Sequence, residues 1–126
     1  MREKLKNVNK MPLSDAALAW LASRGISEAT ALKAGLVSTK SWMQPVGKET
    51  DSIMFPYTNK GQEYAYKVRS IETKAFICNG APQTFFNIEA VQRNDDLIIC
   101  EGEMDALAYM ETGYESVVSI PNGAVN

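Results

Sequence analysis

The tightest constraint on the fold lies near the C-terminus, in LIICEGEMDALAYMETGYESVVSI (97–120). Leu97 to Cys100 is a short apolar run, the pattern of a strand buried on both faces. Glu101-Gly102 follows as a tight turn, Met104 to Thr112 carries helical spacing, and Gly113 ends it. SVVSI then reads as a second buried strand before the turn Pro121-Asn122-Gly123. Two strands joined through a helix lie parallel, so the segment predicts a right-handed βαβ unit.

Upstream the rhythm differs. Ser14 is placed to cap a helix whose stripe is Ala17, Leu18, Leu21 and Ala22, with Gly25 as its stop. Ser27 caps a second helix carrying Ala29, Leu32 and Lys33, closed by Gly35, and Leu36 and Val37 fold back against the pair. No basic recognition helix stands out, so the pair reads as a packing unit. Residues 38–51 are polar, with Pro45 and Gly47, and read as a loop or linker. From Ser52 the period becomes two. SIMFPY and QEYAYKVRSI form a hairpin around Thr58-Asn59-Lys60-Gly61, Pro56 marks a sheet edge or strand end, and Lys74 to Cys78 is a further short strand. The fold class expected is an α+β N-terminal part, helix pair plus antiparallel hairpin, followed by a truncated α/β unit. The divisions are 1–37 for the lead-in and helix pair, 38–94 for the β region with its basic strand, and 95–126 for the βαβ segment.

Composition excludes several classes. With 126 residues, 45% hydrophobic and 22% charged, the chain can build a modest core and is not a disordered tail. A net charge of −2 means that any nucleic-acid contact must come from a local basic patch. Arg2, Lys4, Lys6 and Lys10 of the lead-in fit a solvated terminus better than such a patch. Cys78 and Cys100 are the only cysteines and histidine is absent, so this chain cannot supply a four-ligand zinc site, and a reducing compartment is expected. Neither a secretory leader nor a membrane-spanning run is legible, which gives the expectation of a cytoplasmic protein with no membrane partner.

Glu101 follows a buried strand at its carboxyl end, where open parallel sheets bind ligands. A carboxylate there can hold a divalent cation or take a proton; it can equally be a polar loop residue. Gly102 keeps the turn narrow enough for close approach by a phosphate or metal. Glu103 and Asp105 sit at the start of the helix, where its dipole stabilises carboxylates, and with Glu101 they build a local negative field that favours Mg²⁺. Lys67 and Arg69 are two apart on a strand and share a face; Tyr64, Tyr66 and Val68 take the other, assigned to packing. With Lys74 they make a compact cationic patch suited to phosphates, although spacing alone favours a solvated face. Cys100 reads as a buried small hydrophobe.

LIICEGEMDALAYMETGYESVVSIPNGA resembles the first half of a Toprim domain, whose signature is apolar strand, Glu-Gly, an acid in the following helix, and a second apolar strand. FPYTNKGQEYAYKVRSIETKAF and Phe85-Phe86-Asn87 resemble the region before Toprim in phage-type fused primase–helicases and in Twinkle. The resemblance covers residues 14–126, strongest after Ile53. It implies a primase that makes RNA primers on single-stranded DNA by Mg²⁺- or Mn²⁺-dependent nucleotidyl transfer. Glu101 takes the catalytic, metal-binding role, with Asp105 as a further ligand. Lys67, Arg69 and Lys74 bind nucleotide and template phosphates, and Gly102 and Gly123 serve as turn residues. The partners implied are a single-stranded DNA template, ribonucleoside triphosphates and a replicative helicase, in the same polypeptide or apart.

The family's Asp-x-Asp motif, its template-selecting zinc module and a P-loop are all missing from these residues. The chain is therefore expected to be the N-terminal portion of a longer protein and inactive by itself. A Toprim nuclease or topoisomerase-like enzyme, and a non-catalytic nucleic-acid or helicase-docking module, are the alternatives.

Overall fold

Two serines open the folded part. In the computed structural model, which describes residues 9–92 and 96–121, Ser14 Oγ accepts from the Ala17 N–H at 3.1 Å and Ser27 Oγ from the Thr30 N–H at 3.2 Å. These caps start helix α1 (Asp15–Ser23) and helix α2 (Glu28–Lys33), as expected. Ala17 and Leu21 of α1 and Ala31 of α2 are buried, whereas Ala22 and Leu32 are exposed. Leu36 packs back into the core, and Val37 instead begins a strand.

Gly35 turns the chain out of α2 with φ +82, and a Cβ there would stand 3.2 Å from Pro56 Cγ. Gly25 ends α1 in the same backbone region, φ +79, with open space around it. Gly35→Ala is therefore expected to cost about 1–2 kcal/mol, and more than Gly25→Ala. Urea midpoints at unchanged slope measure both losses; equal losses would mean that Pro56 gives way.

The antiparallel sheet has four strands in the order β1-β2-β3-β4: Val37–Met43, Lys48–Asn59, Gln62–Ser70 and Phe76–Asn79. Residues 38–51 are thus mainly strand, not linker. Ser38, Thr39, Met43 and Thr50 are buried, and the reversal is confined to a 3₁₀ turn at Gln44–Val46 closed by Gly47. Small hydroxyl side chains fill buried positions there, so the polarity of the segment hides its strand character. The β2–β3 hairpin stands as expected, but its turn is only Lys60-Gly61, both with positive φ (53 and 80). That is the geometry a two-residue hairpin loop needs. Pro56 lies inside β2, not at its end. Because β1 pairs no further than Met54, β3 is the only strand neighbour of β2 at Pro56 among the described residues, which makes the position locally an edge. The fourth strand begins at Phe76, leaving Lys74 in the bend before it.

Strand β5 (Ile98–Cys100), helix α3 (Glu103–Glu111) and strand β6 (Val117–Ser119) form the expected βαβ unit, with β5 parallel to β6. The helix starts one residue earlier than expected and β5 is not buried on both faces: Leu97 and Ile99 are exposed. Val117 and Val118 are fully buried. The βαβ unit meets the larger sheet through Phe86, which bridges Ser119 of β6 and sets its ring edge-on to Phe55 and Tyr57 of β2.

One core cluster gathers Leu21, Ile26 and Leu36 from the helical end, Ile53, Phe55 and Tyr57 from β2, and Leu107, Met110 and Val117 from the βαβ unit. A smaller one, Met43, Met54, Tyr66 and Val68, lies on the other face of the sheet. Lys67 pairs opposite Phe55 and Arg69 opposite Ile53, so the basic residues share the face of the main core. The opposite face packs through Tyr66 and Val68 as expected, but the cationic face packs as well and carries the larger cluster.

Candidate functional site

α3 buries Glu103, Ala106, Leu107 and Met110, spaced i, i+3, i+4 and i+7. The first member of this inward stripe is a carboxylate. Glu103 is 5% exposed and meets Lys67, whose Nζ donates to Oε1 at 3.1 Å with the lysine side chain 15% exposed. The Tyr57 hydroxyl donates to the other oxygen, Oε2. Burial first, and then the Glu103 charge, push the Tyr57 phenol far above its ordinary range. The βαβ unit and the hairpin are therefore joined by a buried Tyr–Glu–Lys cluster.

The sequence placed Glu103 on the helix dipole and in a local negative field, and did not single out Tyr57. The signal was present: Glu103 stands three and four residues before Ala106 and Leu107 on the apolar stripe. A phenol held protonated in the fold but ionising near pH 10 when unfolded contributes stability that is complete below pH 10. That stability falls as pH rises further, by about 1.4 kcal/mol per unit. Alkaline unfolding of the chain is expected to steepen above pH 10 and to flatten in Tyr57→Phe. An identical profile for the two would contradict this.

Glu101 and Asp105 are placed differently. Glu101 follows β5 directly, at the carboxyl end of the parallel pair, and is exposed. Asp105 lies off the buried stripe and is exposed; its Oδ2 stands 3.9 Å from where a Cβ on Gly102 would be, so the carboxylate leans over the turn that carries Glu101. Among the described residues no hydrogen bond or ion pair engages either acid. It is Glu103, not Glu101, that is joined to the cationic strand among the described residues. Among the described residues no three acids converge as a metal cluster, which corrects the picture of a shared field from Glu101, Glu103 and Asp105. Glu103 points inward and is already paired. Gly102 is the N-cap of α3 with extended backbone (φ −134, ψ 160), which any residue adopts; space for a close approach is what a side chain there would remove. Gly123 lies outside the described residues.

The cations divide as well. Lys67 is held between Glu103 and the Phe76 ring, 4.6 Å from its centroid. Arg69 makes no ion pair among the described residues, and its Nε is buried without a partner. Burial, then the nearby Arg24 charge, lower its basicity, and Glu103 opposes that weakly. Lys74 is exposed in the bend between β3 and β4, apart from this group. Lys10 pairs with Glu63; Arg2, Lys4 and Lys6 lie outside the described residues. Cys100 is buried, as expected. No helix of the described residues is long and apolar enough to cross a membrane.

No protein-family model matches this chain. It is 28% identical over 120 residues to a Twinkle homolog protein, chloroplastic/mitochondrial, of Arabidopsis thaliana, covering 95% of this chain and 16% of that protein. It is likewise 28% identical over 120 residues to a primase homolog protein of Arabidopsis thaliana, covering 95% of this chain and 34% of the relative. Among solved structures, a DNA primase domain from Pseudomonas aeruginosa matches with a TM-score of 0.65 at 19% identity, covering 89% of this chain and 48% of that one. The DnaG primase catalytic domain bound to ssDNA matches with a TM-score of 0.62 at 20% identity, covering 86% and 49%. The chain thus spans about half the length of these solved chains and about a third or less of the curated relatives. In fold it is the mixed α/β architecture of part of a DnaG-type primase catalytic core, and in sequence it resembles Twinkle and primase-homologue proteins.

Proposed function

We propose that this chain supplies the first acidic edge and the cationic strand of a primase that makes RNA primers on single-stranded DNA. The observation that carries the reading is Glu101, exposed at the carboxyl end of a parallel strand, with Asp105 Oδ2 close to the Gly102 turn that follows it, both carboxylates unengaged among the described residues. Two exposed carboxylates at one strand end suit Mg²⁺ or Mn²⁺, hard cations that take few protein oxygens and keep several waters. Bound there, the metal would supply charge stabilisation for nucleotidyl transfer. Further carboxylates would be needed to hold two metals, so these 126 residues alone are expected to make no primer.

The chain's own residues do the remaining work in this reading. Lys67 uses one of its three N–H donors on Glu103 and can turn the others towards a phosphate. Arg69 offers a guanidinium with no carboxylate partner among the described residues, and Lys74 adds charge from the bend. The single-stranded DNA named with one structural neighbour supports a template strand as ligand. The resemblance to phage-type primase–helicases supports a helicase partner, fused or separate. The test is a longer protein that carries this chain, incubated with single-stranded DNA, labelled ribonucleoside triphosphates and Mg²⁺. Short labelled RNA is expected. DNA cleavage without incorporation would point to a nuclease of the same fold instead.

A further inference from the structure

Away from the acidic edge, α2, the short 3₁₀ turn Ile88–Ala90 and the end of α3 enclose a cavity of about 180 Å³. Its apolar lining includes Ala90, Met110 and Tyr114, and its polar lining Lys33, Asn87 and Glu115. It lies at the carboxyl end of α3, the opposite end of that helix from Glu101.

Ordinary packing covers part of this. A cleft forms readily where two helix ends meet a turn, and one of this size holds about six waters at their liquid volume. Lys33 and Glu115, 2.7 Å apart, are an exposed ion pair of the common kind. Two observations are left over. Among the described residues other than glycine only Lys60 and Asn87 have positive φ. Lys60 needs it for the hairpin turn, whereas Asn87 (φ 66) stands in no hairpin, and backbone held in this region clusters at ligand sites. The Asn87 amide is also fixed in orientation. Its Nδ2 donates to the Val117 carbonyl at 3.0 Å and lies 3.6 Å from Met110 Sδ, which leaves Oδ1 as an acceptor with no partner among the described residues. Tyr114, meanwhile, is 55% exposed beside the cavity, edge-on to Tyr109.

A flat ring carrying an N–H donor answers both, by stacking on Tyr114 and donating to Asn87 Oδ1. The space is smaller than the roughly 300–1,000 Å³ of sites for drug-sized ligands, so it admits one ring system and not a whole nucleotide. Purine bases carry such donors, the exocyclic amines of adenine and guanine, and bases stack on aromatic side chains. The mouth holds one lysine paired with one glutamate, and this neutral rim suits an uncharged base in preference to a phosphate.

We propose that Asn87, Met110 and Tyr114 form a pocket for a purine base, separate from the metal edge and from the cationic strand. The base belongs either to a free nucleoside or to an unpaired position of a single strand; the chemistry recognised is the same.

Met110 serves as the reporter. The 126-residue chain, isotope-labelled at its methionine methyl groups, is titrated without metal with adenosine in one arm and oligo(dA) in another, with uridine as control. Met110→Leu identifies the Met110 resonance. That resonance is expected to shift saturably with a purine ligand, and the tighter arm names the source of the base. Adenosine should bind about tenfold more tightly than uridine. Tyr114→Ala, at an exposed position, should weaken binding about tenfold, and Tyr114→Phe, which keeps the ring, should restore it. No Met110 shift in either purine arm, equal affinity for uridine, or binding unchanged by Tyr114→Ala would overturn the pocket. Neither Glu101 nor Lys67 takes part, so this result and primer synthesis are tested independently.

Discussion

Lys67→Met is expected to lower the stability of this chain by about 3 kcal/mol, because removing one partner of a buried ion pair strands the other charge. Glu103 is 5% exposed, and without Lys67 only the Tyr57 hydroxyl would remain to it. A loss of that size is a large share of the 5–15 kcal/mol typical of a domain, and corresponds to a fall of about 10 °C in Tm. Urea unfolding checks it. The double variant Lys67→Met, Glu103→Gln should recover most of the loss, since Gln still accepts from Tyr57 and leaves no buried charge. If the single variant unfolds within about 0.5 kcal/mol of the parent, the range of ordinary surface substitutions, the cluster is not holding hairpin and βαβ unit together. It follows that weak nucleic-acid binding by a Lys67 variant cannot be read as lost phosphate contact unless its fold is checked first.

Glu101→Gln should show the opposite profile. The side chain is exposed and unengaged among the described residues, so the substitution should leave stability within about 0.5 kcal/mol, as for surface changes generally. In the longer protein, by contrast, primer synthesis should fall on the order of 10²–10³-fold, the range seen when one preorganised electrostatic group is removed from a reacting centre. Asp105→Asn should behave in the same direction. Amide side chains keep the shape of the edge and remove the charge that favours a divalent cation.

The βαβ unit was legible because three independent signals agreed over residues 97–120: apolar runs, helical spacing, and glycine stops. The helix pair was legible from Ser14 and Ser27, whose hydroxyls do locally what capping predicts. Strand β1 and the start of β2 were not, because Ser38, Thr39 and Thr50 fill buried positions that an apolar search passes over. The cationic face of β3 read as solvated for a related reason. Lys67 and Arg69 look solvent-bound, yet Lys67 meets Glu103 and the Phe76 ring of the adjoining strand and Arg69 lies over Trp20, so two of the three partners come from distant segments. Glu103 illustrates the limit most directly. Its role depends on which way one helix position faces a hairpin 36 residues upstream, and spacing within the helix alone only hinted at it.

Two neighbouring glutamates with different tasks form the centre of this account, and a side-by-side comparison of Glu101→Gln and Glu103→Leu measures it most directly. Each is made in the longer protein for primer synthesis and in this chain for urea unfolding. Glu101→Gln should lose synthesis at full stability, and Glu103→Leu should lose stability through the orphaned Lys67 and Tyr57. Full primer synthesis by Glu101→Gln would contradict the account.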